Sequence, residues 1–218
     1  MIRAGLLCLL AMPAGAVEMP TLGPEISACL ERHVTSAPYV AALASEGWSP
    51  VRPFDRPGAQ LALSHAMLAI FTVVPEEDDH GHDHDHDAKT GWAARWTLRE
   101  DTLAWIEDKS VNRTLYERGE AVLLLMGEQI TDPEAGRIHR TTCLFGAPAF
   151  DDATRILADV PVVQEMQRRA FAPHGDTLPY TSVTLARNLP PAGAEAPLHL
   201  DAIITTQVFA VRDVEVRR

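Results

Sequence analysis

Cysteine is scarce in this chain, lysine is nearly absent, and long apolar runs are missing. Lys89 and Lys109 are the only lysines, and 30 acids face 19 Lys and Arg, for a formal net charge of -11. Such a surface repels nucleic acid and anionic membrane, which excludes both as partners, and it tolerates cations. The longest apolar stretch beyond the N-terminus, residues 59–74, is broken by Gln60, Ser64 and His65. It falls short of the roughly 20 residues that span a bilayer, so no membrane insertion is expected. Enzyme signatures are missing too. G-x-S-x-G, H-E-x-x-H, C-x-x-C, the phosphate-cradling G-x-x-x-x-G-K and G-x-G-x-x-G do not occur, so nothing argues for catalysis. No internal repeat of useful period is present, which sets solenoids aside.

The first sixteen residues have the form of a secretory signal peptide. Arg3 supplies a short positive region, Ala4 to Met12 is apolar, Pro13 breaks the segment, and Ala14-Gly15-Ala16 offers the small-x-small pattern of a cleavage site. Cys8 lies within the apolar core with no small residue just before it, which argues against a lipid anchor. The working chain is expected to begin near Val17, soluble and periplasmic or secreted. The abundant Ala and the preference for Arg over Lys suggest a GC-rich bacterial source. Removing residues 1–16 leaves 202 residues with a charge of -12, the size of one domain, 17–218, with room for an insertion.

That mature chain holds two cysteines, Cys29 and Cys143. An even count in an oxidising compartment predicts a disulfide between them. His139 and Cys143 lie four apart in a predicted strand, too distant at about 3.3 Å per residue to act as a catalytic dyad.

Periodicity predicts an α+β fold: an antiparallel sheet of hairpins with helices packed on one face. A helix is expected from Pro24 through Val34, and a second from Ser36, its cap, to Gly47, its stop. Residues 55–69 read as a short helix running into a strand at 70–74. Alternation returns at Trp92, Ala94, Trp96 and Leu98, and again from Leu103. Residues 121–130 form a near-continuous apolar run, hence a strand buried on both faces. A Pro-Gly turn at 131–136 leads into a strand over 137–145. Asp151 or Asp152 should cap a helix through Leu157, and another helix should follow Pro161 through Arg169. Strands at 181–187 and 199–211 complete the sheet. The disulfide would tie the first helix to the middle of that sheet.

The segment at 76–87 reads Glu-Glu-Asp-Asp-His-Gly-His-Asp-His-Asp-His-Asp. His80, His82, His84 and His86 alternate with Gly81, Asp83 and Asp85. Imidazole suits Zn, Cu, Ni and Co, and carboxylate adds attraction for a cation. Four such ligands at about 2.0–2.2 Å complete a tetrahedral Zn²⁺ site, zinc being the metal expected first. Seven acids with no basic and no apolar residue predict a loop that is disordered when empty. Its placement between residues 66–74 and 92–98 predicts an insertion at the tip of a hairpin. The tract resembles the histidine-rich loops of periplasmic zinc-uptake binding proteins. The resemblance covers about a dozen residues and implies zinc collection, but not the fold, since the rest of the chain lacks their βα alternation.

The other histidines carry less. His33 and His65 fall on apolar helical faces and read as core or boundary residues. His139, His174 and His199 are the material for a second, ordered site, with His199 and Asp201 on one face of a predicted strand. Trp92, Trp96 and Trp105 read as sheet-face residues. Three functions therefore stay open. The first is an exported divalent-metal buffer, chaperone or sensor that uses the loop. The second is a binding module for another ligand or an envelope protein, with the loop incidental. The third is a hydrolase that recruits metal to an ordered site.

Overall fold

Two inward-facing side-chain sets per strand organise this protein around a sheet covered on both faces. The structure is a computed structural model that describes residues 18–52, 56–71, 113–163, 165–172, 178–189 and 201–212. Elements run in the order α1 (Pro24–Ser27), a 3₁₀ turn (Ala28–Leu30), α2 (Ser36–Ser45), β1 (Ser49–Val51), α3 (Pro57–Phe71), β2 (Arg113–Arg118), β3 (Ala121–Asp132), β4 (Gly136–Ala147), α4 (Asp151–Ile156), β5 (Met166–Phe171), β6 (Tyr180–Asn188) and β7 (Asp201–Ala210). The seven strands form one sheet in the order β1-β2-β3-β4-β7-β6-β5, every pair antiparallel. The class is α+β, as the sequence pattern predicts.

The long strands explain the two cores. Leu123 and Leu125 of β3 and Cys143 and Phe145 of β4 face a cluster with Ile26, Leu43 and Phe150. Val122 and Leu124, with Leu144, face a second cluster with Ala62, Leu63 and Ala66. The apolar run of β3 is thus read correctly over 121–125, but its exposed second half is not. The helices divide accordingly. α1, α2 and α4 lie on one face as expected, while α3 packs on the other.

Gly146 shows how close α3 comes. A Cβ built there would sit 2.6 Å from the Ala66 Cβ, with Val122 Cγ2 at 3.4 Å. Two buried backbones leave nowhere for a methyl to go. Gly146→Ala is expected to cost about 1–3 kcal/mol by overpacking, measured as a lower denaturation midpoint with unchanged slope. An unchanged midpoint would mean that α3 moves away freely.

Local chemistry sets the element ends. Gly47, at φ +84°, follows α2, and the Trp48 amide returns to the Leu43 carbonyl at 3.0 Å. In the β3–β4 turn, Asp132 Oδ1 accepts the amides of Ala135 (2.7 Å) and Glu134 (2.9 Å). These two bonds hold its carboxyl below the usual carboxylate range.

Several expectations are overturned. The first helix stops at Ser27 and tightens into a 3₁₀ turn ending at Leu30. Ser36 is the first residue of α2, its cap position being Thr35. Residues 70 and 71 continue α3 and do not begin a strand. The hairpin arm expected over 66–74 is therefore helical through Phe71; 72–74 and the opposing arm at 92–98 lie outside the described residues. Phe150, not Asp151 or Asp152, occupies the N-cap of α4, and the two acids sit in its first turn, where the helix dipole favours them. The helix expected after Pro161 is instead the strand β5. Glu165 takes φ +60° between Val163 and Met166, which bridge each other. A turn there cannot continue a helix, and the alternating burial of 166–171 then pairs with β6.

Candidate functional site

Every ligand of the histidine tract (His80, His82, His84, His86, Asp83 and Asp85) lies outside the described residues, as do His174 and His199. Among the described residues no group of three or more His, Cys, Asp or Glu is placed to hold a metal ion.

Cys29 and Cys143 are joined, with their Cα atoms 6.2 Å apart. Both are fully buried, so the bridge staples the 3₁₀ turn to the centre of β4. Gln207 of β7 reinforces that junction: its Nε2 donates to the Leu30 carbonyl at 2.7 Å, and its Oε1 accepts from Thr181 Oγ1 at 2.7 Å.

Asp201 is not free to bind metal. Its carboxylate is fully buried at the start of β7 and accepts from Arg187 Nε (2.6 Å), Arg187 Nη2 (2.7 Å) and the Phe150 amide (2.8 Å). Arg187 Nη2 also donates to Thr154 Oγ1 at 2.8 Å. This clasp ties β6, β7 and α4 together, so Asp201 is not available as a metal ligand beside His199. His33 stands at the boundary, as expected, edge-on to Tyr39 and 3.0 Å from Glu31 Oε2. His65 belongs to α3.

His139 has the most distinctive setting. Register places Gln129, His139 and Phe209 in one cross-strand row, and Gly127, Thr141, Gln207 and Thr181 in the next. These rows continue the Cys143 face toward the β3–β4 turn. There the start of α2 stands off the sheet and leaves a pocket of about 380 Å³, lined by Thr35, Ser36, Tyr39, Gly127, His139 and Thr141 among others. His139 is only 7% exposed and its Nδ1 has no hydrogen-bond partner. Burial pushes its pKa below the usual imidazole value, which favours the neutral ring. Thr141 Oγ1 is likewise buried, within hydrogen-bonding reach of the Tyr39 hydroxyl. That hydroxyl also donates to the Glu31 carbonyl (2.7 Å) and accepts the His33 amide (3.1 Å).

Sequence reasoning named His139 but missed Thr141, Gly127 and the pocket. The available signal was polar residues at the inward positions 139 and 141 of a strand whose next inward residues, Cys143 and Phe145, are core. Among the described residues no helix is long and apolar enough to cross a membrane. Comparison of the chain with protein-family models, with curated proteins and with solved structures finds no match.

Proposed function

We propose that this is an exported divalent-metal-binding protein, with the 76–87 tract collecting zinc for buffering, delivery or sensing. One observation carries the reading: four histidines alternate with aspartates within twelve residues that contain no basic and no apolar residue. That composition supplies nitrogen and oxygen ligands in excess of a tetrahedral set and has few other physical uses. A buried disulfide agrees with an oxidising compartment such as the periplasm or the exterior. Nickel, copper and cobalt share the ligand preference and compete with zinc.

Deleting residues 76–87 should remove most of the bound zinc while leaving the domain folded. Calorimetric titration of intact and deleted chains at pH 7.5 and 5.5 measures both. Binding should weaken as pH falls through about 6.5, where imidazole protonates and stops ligating. Neighbouring carboxylates stabilise the imidazolium, so the loss should begin at somewhat higher pH. Unchanged zinc stoichiometry in the deletion would move the site onto the folded domain and refute the reading. Metal analysis of protein taken from its native compartment separates a resident ion from an opportunistic one.

A further inference from the structure

His139 is a titratable ring held where a positive charge has nothing to meet. It is 7% exposed, and its Nδ1 is closed to solvent with no hydrogen-bond partner among the described residues. A neutral imidazole tolerates this by carrying its proton on Nε2 and leaving a bare lone pair on Nδ1. An imidazolium carries N–H on both nitrogens. Protonation therefore puts a charged donor where solvent does not reach and no described group accepts it. Burying a charge unpaired is far more costly than burying the neutral ring.

The groups around the ring offer no compensation. Its own cross-strand row holds Gln129 of β3 and Phe209 of β7, the latter with its ring centroid 5.5 Å away. The next row holds Gly127, Thr141 and Gln207. Thr35, Ser36 and Tyr39 from the start of α2, and Thr114 from β2, line the adjoining pocket. Tyr39 is the one titratable group among these, and burial raises its pKa, so it stays a neutral phenol. His33 and Glu31, beside Tyr39, pair with each other. Glu128 is paired with Arg140, and both project from the opposite face of the sheet. Arg137, two residues before His139 on the same face, is a cation and opposes a second one.

The same surroundings decide what gives way. The three strands under the ring are held by continuous ladders, 122–132 with 136–146 and 138–147 with 201–210. The start of α2 is held through Tyr39, whose hydroxyl bonds Thr141, the Glu31 carbonyl and the His33 amide. A pocket of about 380 Å³ already separates that segment from the sheet, so water reaches a charged ring from this side. We propose that His139 is an acid latch: the neutral ring keeps the seam between α2 and the sheet closed, and protonation loosens it. Because the ring takes up a proton more readily in the opened form, acid favours opening, beginning as pH falls through the ordinary imidazole value of about 6.5.

Amide hydrogen exchange of residues 17–218, disulfide intact and metal removed with EDTA, tests this at pH 7.5 and 5.0. It is read as protection factors, which cancel the chemical pH dependence of exchange. The α2 amides should lose up to about thirtyfold more protection over that interval in the wild type than in His139→Gln. That limit is set by an opened ring with the ordinary imidazole value. Amides of Leu123, Leu124 and Leu144 in the β3–β4 core should change equally in both proteins. The tract histidines are present in both, so their titration cancels and the outcome is independent of the metal reading. His33→Gln should keep the wild-type response, since protonating His33 strengthens its pairing with Glu31 and acts in the opposite sense. Should His139→Gln fail to fold, NMR titration of the His139 ring in the wild type takes its place. The folded ring should then titrate below about 6.5, at the pH where the loss of α2 protection levels off. A difference under about twofold between wild type and His139→Gln, a response lost in His33→Gln, or an equal extra loss in β3 and β4 would overturn the proposal. So would a folded ring that titrates at or above about 6.5.

Discussion

Replacing Arg187 with methionine should destabilise the domain by about 3–5 kcal/mol, and more than replacing Asp201 does. The asymmetry follows from burial. The Asp201 side chain is fully buried, while that of Arg187 is 22% exposed. Without Arg187 the carboxylate keeps one described donor, the Phe150 amide, and must remain ionised out of water or take up a proton. Without Asp201 the guanidinium still reaches solvent and Thr154. In the double variant Arg187→Met/Asp201→Leu neither charge is left behind, so its loss should be well below the sum of the singles. Guanidinium denaturation of the four proteins, disulfide intact, decides the matter. Single losses under about 1 kcal/mol, or a double that equals the sum, would reduce the clasp to an ordinary surface pair.

The parts of the fold legible in the sequence are those where periodicity and turn chemistry agree. The β3–β4 hairpin is one: an apolar run, then Thr-Asp-Pro-Glu-Ala-Gly, then a second strand. Asp132 at the turn start and Gly136 at φ +77° do there what those residue types do best. The end of α2 at Gly47 is another. Where local preference and tertiary context disagree, the reading fails. Ile70 and Phe71 favour strands, yet they continue α3, a helix whose Ala62, Leu63 and Ala66 pack on the sheet. Residues 161–169 carry helix-tolerant side chains, but Arg169 and Gln167 of β5 instead reach back to α4 and the turn after it. Arg169 bonds the Ile156 carbonyl, and Gln167 bonds the carbonyls of Leu157 and Val160. Such contacts are invisible to a pattern that looks only a few residues ahead.

The candidate sites divide in the same way. The metal tract is legible because its argument needs only composition within twelve residues. The pocket is not, because it arises from three distant segments: the start of α2, the glycine in β3 and the inward row of β4. A threonine two residues from a histidine is unremarkable in sequence. It acquires meaning only when register sets it opposite Gly127, under a helix that stands off the sheet. Asp201 is the converse. Spacing made it a ligand candidate beside His199, and an arginine fourteen residues earlier takes it for structure.

Removing the Cys29–Cys143 bridge should cost about 2–5 kcal/mol of stability. The bridge spans 114 residues, and chain-entropy models assign a loop of about a hundred residues roughly 4.7 kcal/mol, with native distortion reducing what is realised. Its position adds a second reason. The bridge anchors Ala28–Leu30, a short turn whose hold on the sheet otherwise rests on apolar contacts and the Gln207 bond to Leu30. Loss of the cross-link should therefore loosen the N-terminal segment first, exposing the amides of α1 to hydrogen exchange ahead of β3 and β4. Replacement chemistry should matter as well. Both sites are buried among apolar side chains, so a Ser pair places two hydroxyls where a partner is needed, whereas an Ala pair leaves only small voids. The Ala pair should be the more stable of the two variants. Denaturation midpoints of the oxidised protein, the Ala pair and the Ser pair measure the ranking. Thiol titration of residues 17–218 of the wild type, produced in an oxidising compartment, under denaturing, non-reducing conditions should find no free cysteine. Two titratable thiols, or an Ala pair within about 1 kcal/mol of the oxidised protein, would show that the bridge contributes nothing to holding the N-terminal segment on the sheet.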